Sequence, residues 1–221
     1  MTPASGAGRS MSAPKIKFCG LTREVDVRAA IDLGIDAIGL NLARGPRRLE
    51  LAHAAELARL LPPFITAVAL LIDADEATIL EAMRVTRCTT IQLHGSEPPE
   101  LAERLRARFP VIKAFSVTTA ASLAAVRGYP ADAYLLDAAA AGAGGSGLAW
   151  DHGLASAESF DRPVILAGGL RPDTVAAAVA QVRPWAVDVS SGIESAPGIK
   201  ERTKMAAFVL AINAGASPLR P

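Results

Sequence analysis

The chain has 221 residues, 51% of them hydrophobic and 20% charged, with a formal net charge of +1. That length and apolar content suffice for one large core, and the near-neutral balance excludes a general nucleic-acid binder, which needs a clustered basic face to neutralise phosphates. The 2 cysteines (Cys19, Cys88) and 3 scattered histidines (His53, His94, His152) make neither a disulfide framework nor a metal set, so no metal is expected.

Residues 1–14 read as a disordered N-terminal tail of Ala, Gly, Ser and Thr, without the apolar stretch of a secretory signal. From residue 15 to 213, short apolar runs alternate with helical patterns. The first run, 16–19, ends on Cys19. Gly20 then permits a turn, and Thr22 is expected to cap a helix over 25–33 whose first turn carries Glu24 and Asp26. Run 37–42 leads through Asn41 and a Gly-Pro turn flanked by Arg44, Arg47 and Arg48 to a helix over 53–61. Run 65–72 meets Asp73 before a helix over 76–84, and run 90–94 ends Gln92-Leu93-His94-Gly95 before a helix over 99–108. Run 111–115 passes Lys113 and precedes a helix over 120–127. Run 133–137 ends on Asp137, followed by a glycine-rich stretch, Gly144 to Gly147, and a short helical pattern over 150–156. Run 164–167 ends at Gly168-Gly169 before a helix over 173–181. Run 186–190 carries Asp188 into Ser190-Ser191-Gly192, and a last helix is expected over 198–212, with 214–221 as a C-terminal tail. No apolar run reaches the roughly 18 residues needed to span a bilayer, so no membrane partner and a cytoplasmic location are expected.

Near-continuous apolar runs imply strands buried on both faces, hence parallel pairing with helical crossovers. Eight βα units in about 207 residues give about 26 each, the spacing of a compact α/β protein built as a single (β/α)8 TIM barrel. The structural alternative, a doubly wound open sheet, would carry a G-x-G-x-x-G turn after its first strand, which this chain lacks. In a barrel, chemistry lies at the C-terminal ends of the strands, where the polar residues of this chain gather. Small residues after the last two strands, Gly168-Gly169 and Ser191-Gly192, offer backbone N–H groups to an anion, so a phosphorylated small molecule is the expected ligand.

The ordered set Lys17-Phe18-Cys19-Gly20-Leu21-Thr22, Gly45-Pro46-Arg47, Gln92-Leu93-His94-Gly95, Leu135-Leu136-Asp137, Gly144-Gly145-Ser146-Gly147, Leu166-Ala167-Gly168-Gly169-Leu170 and Asp188-Val189-Ser190-Ser191-Gly192-Ile193-Glu194 resembles the motifs of phosphoribosylanthranilate isomerases, from about residue 15 to residue 213. The resemblance implies a cofactor-free Amadori rearrangement of N-(5-phosphoribosyl)anthranilate in tryptophan biosynthesis. It implies Asp137 as the acid that protonates the ribose ring oxygen and Cys19 as the base that takes the proton from C2′. It also implies Arg47 on the anthranilate carboxylate, Asp188 near the ribose hydroxyls, Gln92 and His94 as further substrate contacts, and Gly168, Gly169, Ser191 and Gly192 around the phosphate. Lys17, two residues before Cys19 on the same face, reads equally as a partner of the thiol or as a barrel residue paired with a carboxylate. His94 reads equally as a structural group bonding a loop carbonyl, and Gly144 to Gly147 as a closing loop or a linker. Arg48 is expected to be solvated, and oligomeric state, monomer or homodimer, is left open.

The chain departs from the family pattern at Phe18, where Ile is common, at Gly45, where Ser is common, and over Leu70-Leu71-Ile72-Asp73, where a Val-Phe-Val-Asn type run is usual. None is the expected acid or base. A sister sugar-phosphate isomerase on the same barrel would use a pair of aspartates, and Cys19 in place of the first argues against it. A phosphate-binding barrel without catalysis would need neither Cys19 nor Asp137.

Overall fold

The structure, a computed structural model, describes residues 13–117, 120–138 and 160–215. The expectations for Gly144 to Gly147 and for a helix over 150–156 lie outside the described residues, as does most of each expected tail.

The described elements are β1 (Lys15–Cys19), α1 (Glu24–Asp32), β2 (Ala37–Asn41), α2 (Leu51–Ala58), β3 (Thr66–Leu71), α3 (Glu76–Thr86), β4 (Thr90–Leu93), α4 (Pro99–Arg106), β5 (Val111–Val117), α5 (Ala120–Ala124), β6 (Ala133–Ala138), β7 (Val164–Leu166), α6 (Val175–Val182), β8 (Ala186–Val189), β9 (Glu194–Ala196), β10 (Ile199–Lys200) and α7 (Arg202–Gly215). Strands β1 to β8 form a closed parallel barrel in chain order, with β8 paired back to β1. The (β/α)8 expectation therefore holds and the open sheet does not.

Register decides which side chains enter the lumen. Lys17 lies opposite Ala37 and Asp188, Cys19 opposite Gly39, Leu70 opposite Gln92, Gln92 opposite Ile112, and Ser116 opposite Asp137. Side chains alternate with period two along a strand, so Lys17, Cys19, Gly39, Gln92, Asp137 and Asp188 share the inner wall. The middle of that wall is an apolar plug of Val68, Ile112, Ala114, Leu135, Ile165 and Ala167. The barrel is thus a packed core with its polar residues at one mouth. A second, larger core packs the outer strand faces against the helices, with Phe18, Ile38, Leu40, Ile91, Leu93, Leu136 and Phe208 fully buried.

Four expectations need correction. Thr22 does not cap α1: Arg23 occupies the cap position, and Thr22 Oγ1 donates to the carbonyl of Gly198 at 2.6 Å. The last helix starts at Arg202, because 194–200 fold back as the antiparallel pair β9–β10. α5 is five residues long rather than eight. Lys113 is not at the mouth: its neighbours Ile112 and Ala114 face the lumen, so it points outward, where its Nζ donates to Glu97 at 2.8 Å and lies 5.6 Å from the centre of the Phe115 ring.

The loops after β7 and β8 approach so closely that a Cβ on Gly192 would overlap the carbonyl oxygen of Leu170. Backbone cannot yield as a flexible side chain does. Gly192→Ala is therefore expected to cost about 2–3 kcal/mol of stability, read as a lowered urea midpoint; an unchanged midpoint would mean the two loops are free to part.

Candidate active site

At the C-terminal mouth, β1 and β8 are joined by an ion pair inside the lumen. Lys17 Nζ donates to Asp188 Oδ1 at 2.9 Å, with the residues 3% and 8% exposed. Gly39 faces this pair across the β1–β2 register, and a Cβ there would stand 2.7 Å from Cys19 Sγ and 3.0 Å from Lys17 Nζ. The missing side chain makes room for thiol and ammonium together. The two readings of Lys17 are therefore one arrangement: it pairs with a carboxylate and it lies beside the thiol.

The charges here act on one another. Burial disfavours the charged form of Lys17, but Asp188 and Cys19 outweigh it and hold the ammonium above its ordinary value. Burial pushes the Cys19 thiol up and Asp188 adds to that, while Lys17 and Lys200 pull it back without cancelling the rise. The resting group is a thiol at neutral pH.

A second chain of contacts runs from β4 to β6. Gln92 Nε2 lies 2.8 Å from His94 Nδ1, and His94 Nε2 lies 3.4 Å from Asp137 Oδ2. The Nδ1 edge of the ring thus faces the Gln92 amide and the Nε2 edge faces the Asp137 carboxyl. Among the described residues the His94 ring meets Gln92 and Asp137 and bonds no loop carbonyl. Gln92 is fully buried, and its Oε1 has no hydrogen-bond partner among the described residues.

Arg47, carried by the loop after β2, lies with its aliphatic stem against Gly20, where a Cβ would overlap its Cδ. Its fork donates to both oxygens of Glu194 at 2.8 and 2.7 Å. The bond to Glu194 holds the guanidinium above its ordinary value, and Arg47 and Lys200 together overcome burial to hold Glu194 below the usual carboxylate range. Arg48 is exposed and pairs with Glu50, as a solvated side chain should. Asn41 faces its own loop, accepting from the Ala43 N–H at 2.9 Å. On the far side of the mouth Gly168 and Gly169 adopt φ of 84° and 65°, which glycine alone enters without strain. They lie in the loop whose Leu170 abuts Gly192.

Lys200 was not legible as a site residue. Its side chain is completely buried and its Nζ donates to the carbonyls of Cys19 and Ser190 at 2.6 and 3.0 Å and to Glu194 at 2.8 Å. The available signal was Pro197-Gly198, a turn pair at the very start of the stretch expected to be helical.

A closed parallel barrel with a thiol, a carboxyl and an arginine at its C-terminal mouth defines a (β/α)8-barrel enzyme of the acid–base class. The sequence profile described as N-(5'phosphoribosyl)anthranilate (PRA) isomerase matches residues 16–211, and the chain belongs to that family. The N-(5'-phosphoribosyl)anthranilate isomerase of Bordetella avium is 43% identical over 206 residues, covering 88% of this chain and 93% of the relative. That of Myxococcus xanthus is 45% identical over 203 residues, covering 89% and 95%. The crystal structure of phosphoribosyl anthranilate isomerase from Thermus thermophilus superposes with a TM-score of 0.81 at 37% identity, covering 90% of this chain and 98% of that one. A second solved isomerase, in complex with reduced 1-(o-carboxyphenylamino)-1-deoxyribulose 5-phosphate, superposes at 0.83 with 30% identity, covering 91% and 99%.

The directions of the Cys19 shift predict its reactivity. Alkylation of Cys19 by iodoacetamide, followed by peptide mass spectrometry, is expected to rise with pH through a midpoint above the roughly 8.5 of a free thiol. In folded Lys17→Met the midpoint moves higher still, because a lowering charge is removed and Asp188 is left uncompensated. A midpoint that stays or falls would show that Lys17 does not act on the thiol.

Proposed function

We propose that Cys19 and Asp137 carry the two proton transfers of the family's reaction in this chain. The chain is an isomerase of tryptophan biosynthesis that converts N-(5-phospho-β-D-ribosyl)anthranilate to 1-(2-carboxyphenylamino)-1-deoxy-D-ribulose 5-phosphate, an aldose–ketose isomerisation. The observation that carries the assignment is the register that sets the Cys19 thiol and the Asp137 carboxyl on the inner wall at the same mouth.

Asp137 gives its proton to the ribose ring oxygen, the C1′–O bond breaks, and the anilino nitrogen supplies the electron pair that makes the open-chain Schiff base. The Cys19 thiolate then takes the proton from C2′, and those electrons move toward the iminium nitrogen to give the enolamine that tautomerises to the ketose. Lys17 and Lys200 favour the thiolate; burial and Asp188 oppose it. The His94 Nε2 edge faces the Asp137 oxygen and is placed to hold the carboxyl in one orientation before and after the transfer. The phosphate is taken by Gly168, Gly169, Ser191 and Gly192 in the loops after β7 and β8, where left-handed glycines let the backbone turn toward an anion. Arg47 receives the anthranilate carboxylate, and Asp188 and Gln92 face the sugar. Among the described residues no helix is long and apolar enough to cross a membrane, and we place the enzyme in the cytoplasm, where the unpaired, buried cysteines would stay reduced.

The test is turnover of freshly generated phosphoribosylanthranilate, followed by loss of anthranilate-type fluorescence. Asp137→Asn and Cys19→Ser are each expected to lower kcat by about 10²–10⁴-fold with KM within a few-fold, the usual worth of a positioned acid or base. Near-normal kcat in either variant removes that residue from the proton transfers.

A further inference from the structure

Arg47 reaches the mouth already paired. Its Nε and Nη2 donate to the two oxygens of Glu194, a side-on fork that fixes the plane of the guanidinium. No described residue engages Nη1, so the end-on edge, Nη1 with the second proton of Nη2, is left for another anion.

Glu194 is held from behind. Lys200 Nζ donates to its Oε1 at 2.8 Å and the Gly198 N–H at 3.2 Å. The β9–β10 hairpin that carries both residues is strapped to the loop before α1 and to the first turn of α1: Thr22 Oγ1 donates to the Gly198 carbonyl at 2.6 Å, Arg23 to the Lys200 carbonyl at 3.1 Å, and the Lys200 N–H to Asp26 at 3.2 Å. The carboxylate that orients Arg47 thus belongs to a braced element and not to a loose loop.

The charge count is as telling as the geometry. Glu194 alone would cancel Arg47 and leave nothing to attract an anion. Lys200 restores the difference: two cations share one carboxylate, with Glu194 and Lys200 almost wholly removed from solvent. With Cys19 in its thiol form this cluster carries one excess positive charge, and because burial holds Lys200 below its ordinary value, one more carboxylate beside it completes the set and favours the ammonium.

We infer that Glu194 is a positioning residue for the substrate's aryl carboxylate, turning the end-on edge of Arg47 toward it, while Lys200 supplies the charge that Glu194 would otherwise neutralise. This rests on the reading of Arg47 as the carboxylate contact and adds what makes that contact selective: a fork of fixed orientation in a cluster short of one anion. Glu194 touches no reacting atom and acts through Arg47.

A double-mutant cycle on the full chain tests it, with KM and kcat for phosphoribosylanthranilate as readouts. Glu194→Gln is expected to raise KM about tenfold with kcat within about threefold, and to raise KM no further in an Arg47→Ala background. Arg47→Lys, which keeps the charge and loses the fork, is expected to raise KM as much as Arg47→Ala. It leaves Glu194 in place, so it decides the matter if Glu194→Gln does not fold. An equal KM rise from Glu194→Gln in both backgrounds overturns the inference, since Glu194 would then act only by holding the hairpin. Wild-type KM in Arg47→Lys overturns it too, because charge without orientation would suffice. An unchanged KM in Arg47→Ala overturns the carboxylate reading of Arg47 itself, which separates that failure from the failure of the role given to Glu194.

Discussion

The Lys17–Asp188 pair is the contact on which the active end of this barrel depends. It spans the seam where the last strand meets the first, in a register that sets the two residues side by side. Two charges withdrawn from water cost several kcal/mol each unless they meet with good geometry, so neither is tolerable there alone. Together they fix β8 against β1 and place an ammonium beside the next inward group on β1, the Cys19 thiol. Gly39 completes the arrangement by leaving the space that thiol and ammonium occupy.

Much of this was legible in the sequence. Near-continuous apolar runs announced parallel strands because a strand covered on both faces has no polar side to show. Cys19, Asp137 and Asp188 stood at the ends of such runs, where a barrel keeps its chemistry. The same property hid the facing of Lys113. With both faces of β5 buried, hydropathy cannot say which is the lumen, and only closure of the barrel sends Ile112 and Ala114 inward and Lys113 outward. Lys200 was hidden for another reason. A two-residue strand has too short a pattern to stand out against the fourteen-residue helix that follows it.

Lys17 and Lys113 are both buried lysines paired with carboxylates, and their difference in role follows from which wall they occupy. Glu97 accepts from Lys113 and also from the N–H groups of Asp73 and Gly95, while Asp73 accepts from the Ser96 N–H. These bonds tie the loops after β3 and β4 to each other, and Tyr129, its hydroxyl pushed up to about 12 by burial and then by the Glu97 and Glu100 charges, adds to the set by donating to the Glu97 carbonyl. This pair shapes the loop that follows His94. Lys17, with the same chemistry on the inner wall, meets the thiol instead of a loop.

The proposed reaction imposes one more condition on these groups. Cys19 acts as thiolate and ends as thiol, while Asp137 acts as acid and ends as carboxylate, so the proton that rests on sulfur must pass from the first to the second before each turnover. The pair therefore works as two sites sharing a single proton, and what matters is the balance between them. Burial and Asp188 favour the proton on sulfur; Lys17 and Lys200 oppose it. Both lysines are tied to carboxylates, Asp188 and Glu194, that face the proposed sugar and carboxylate contacts. A substrate that draws hydrogen bonds or charge from either carboxylate changes how strongly its lysine acts on the thiol, so the grip on the substrate and the readiness of the base are parts of one electrostatic network.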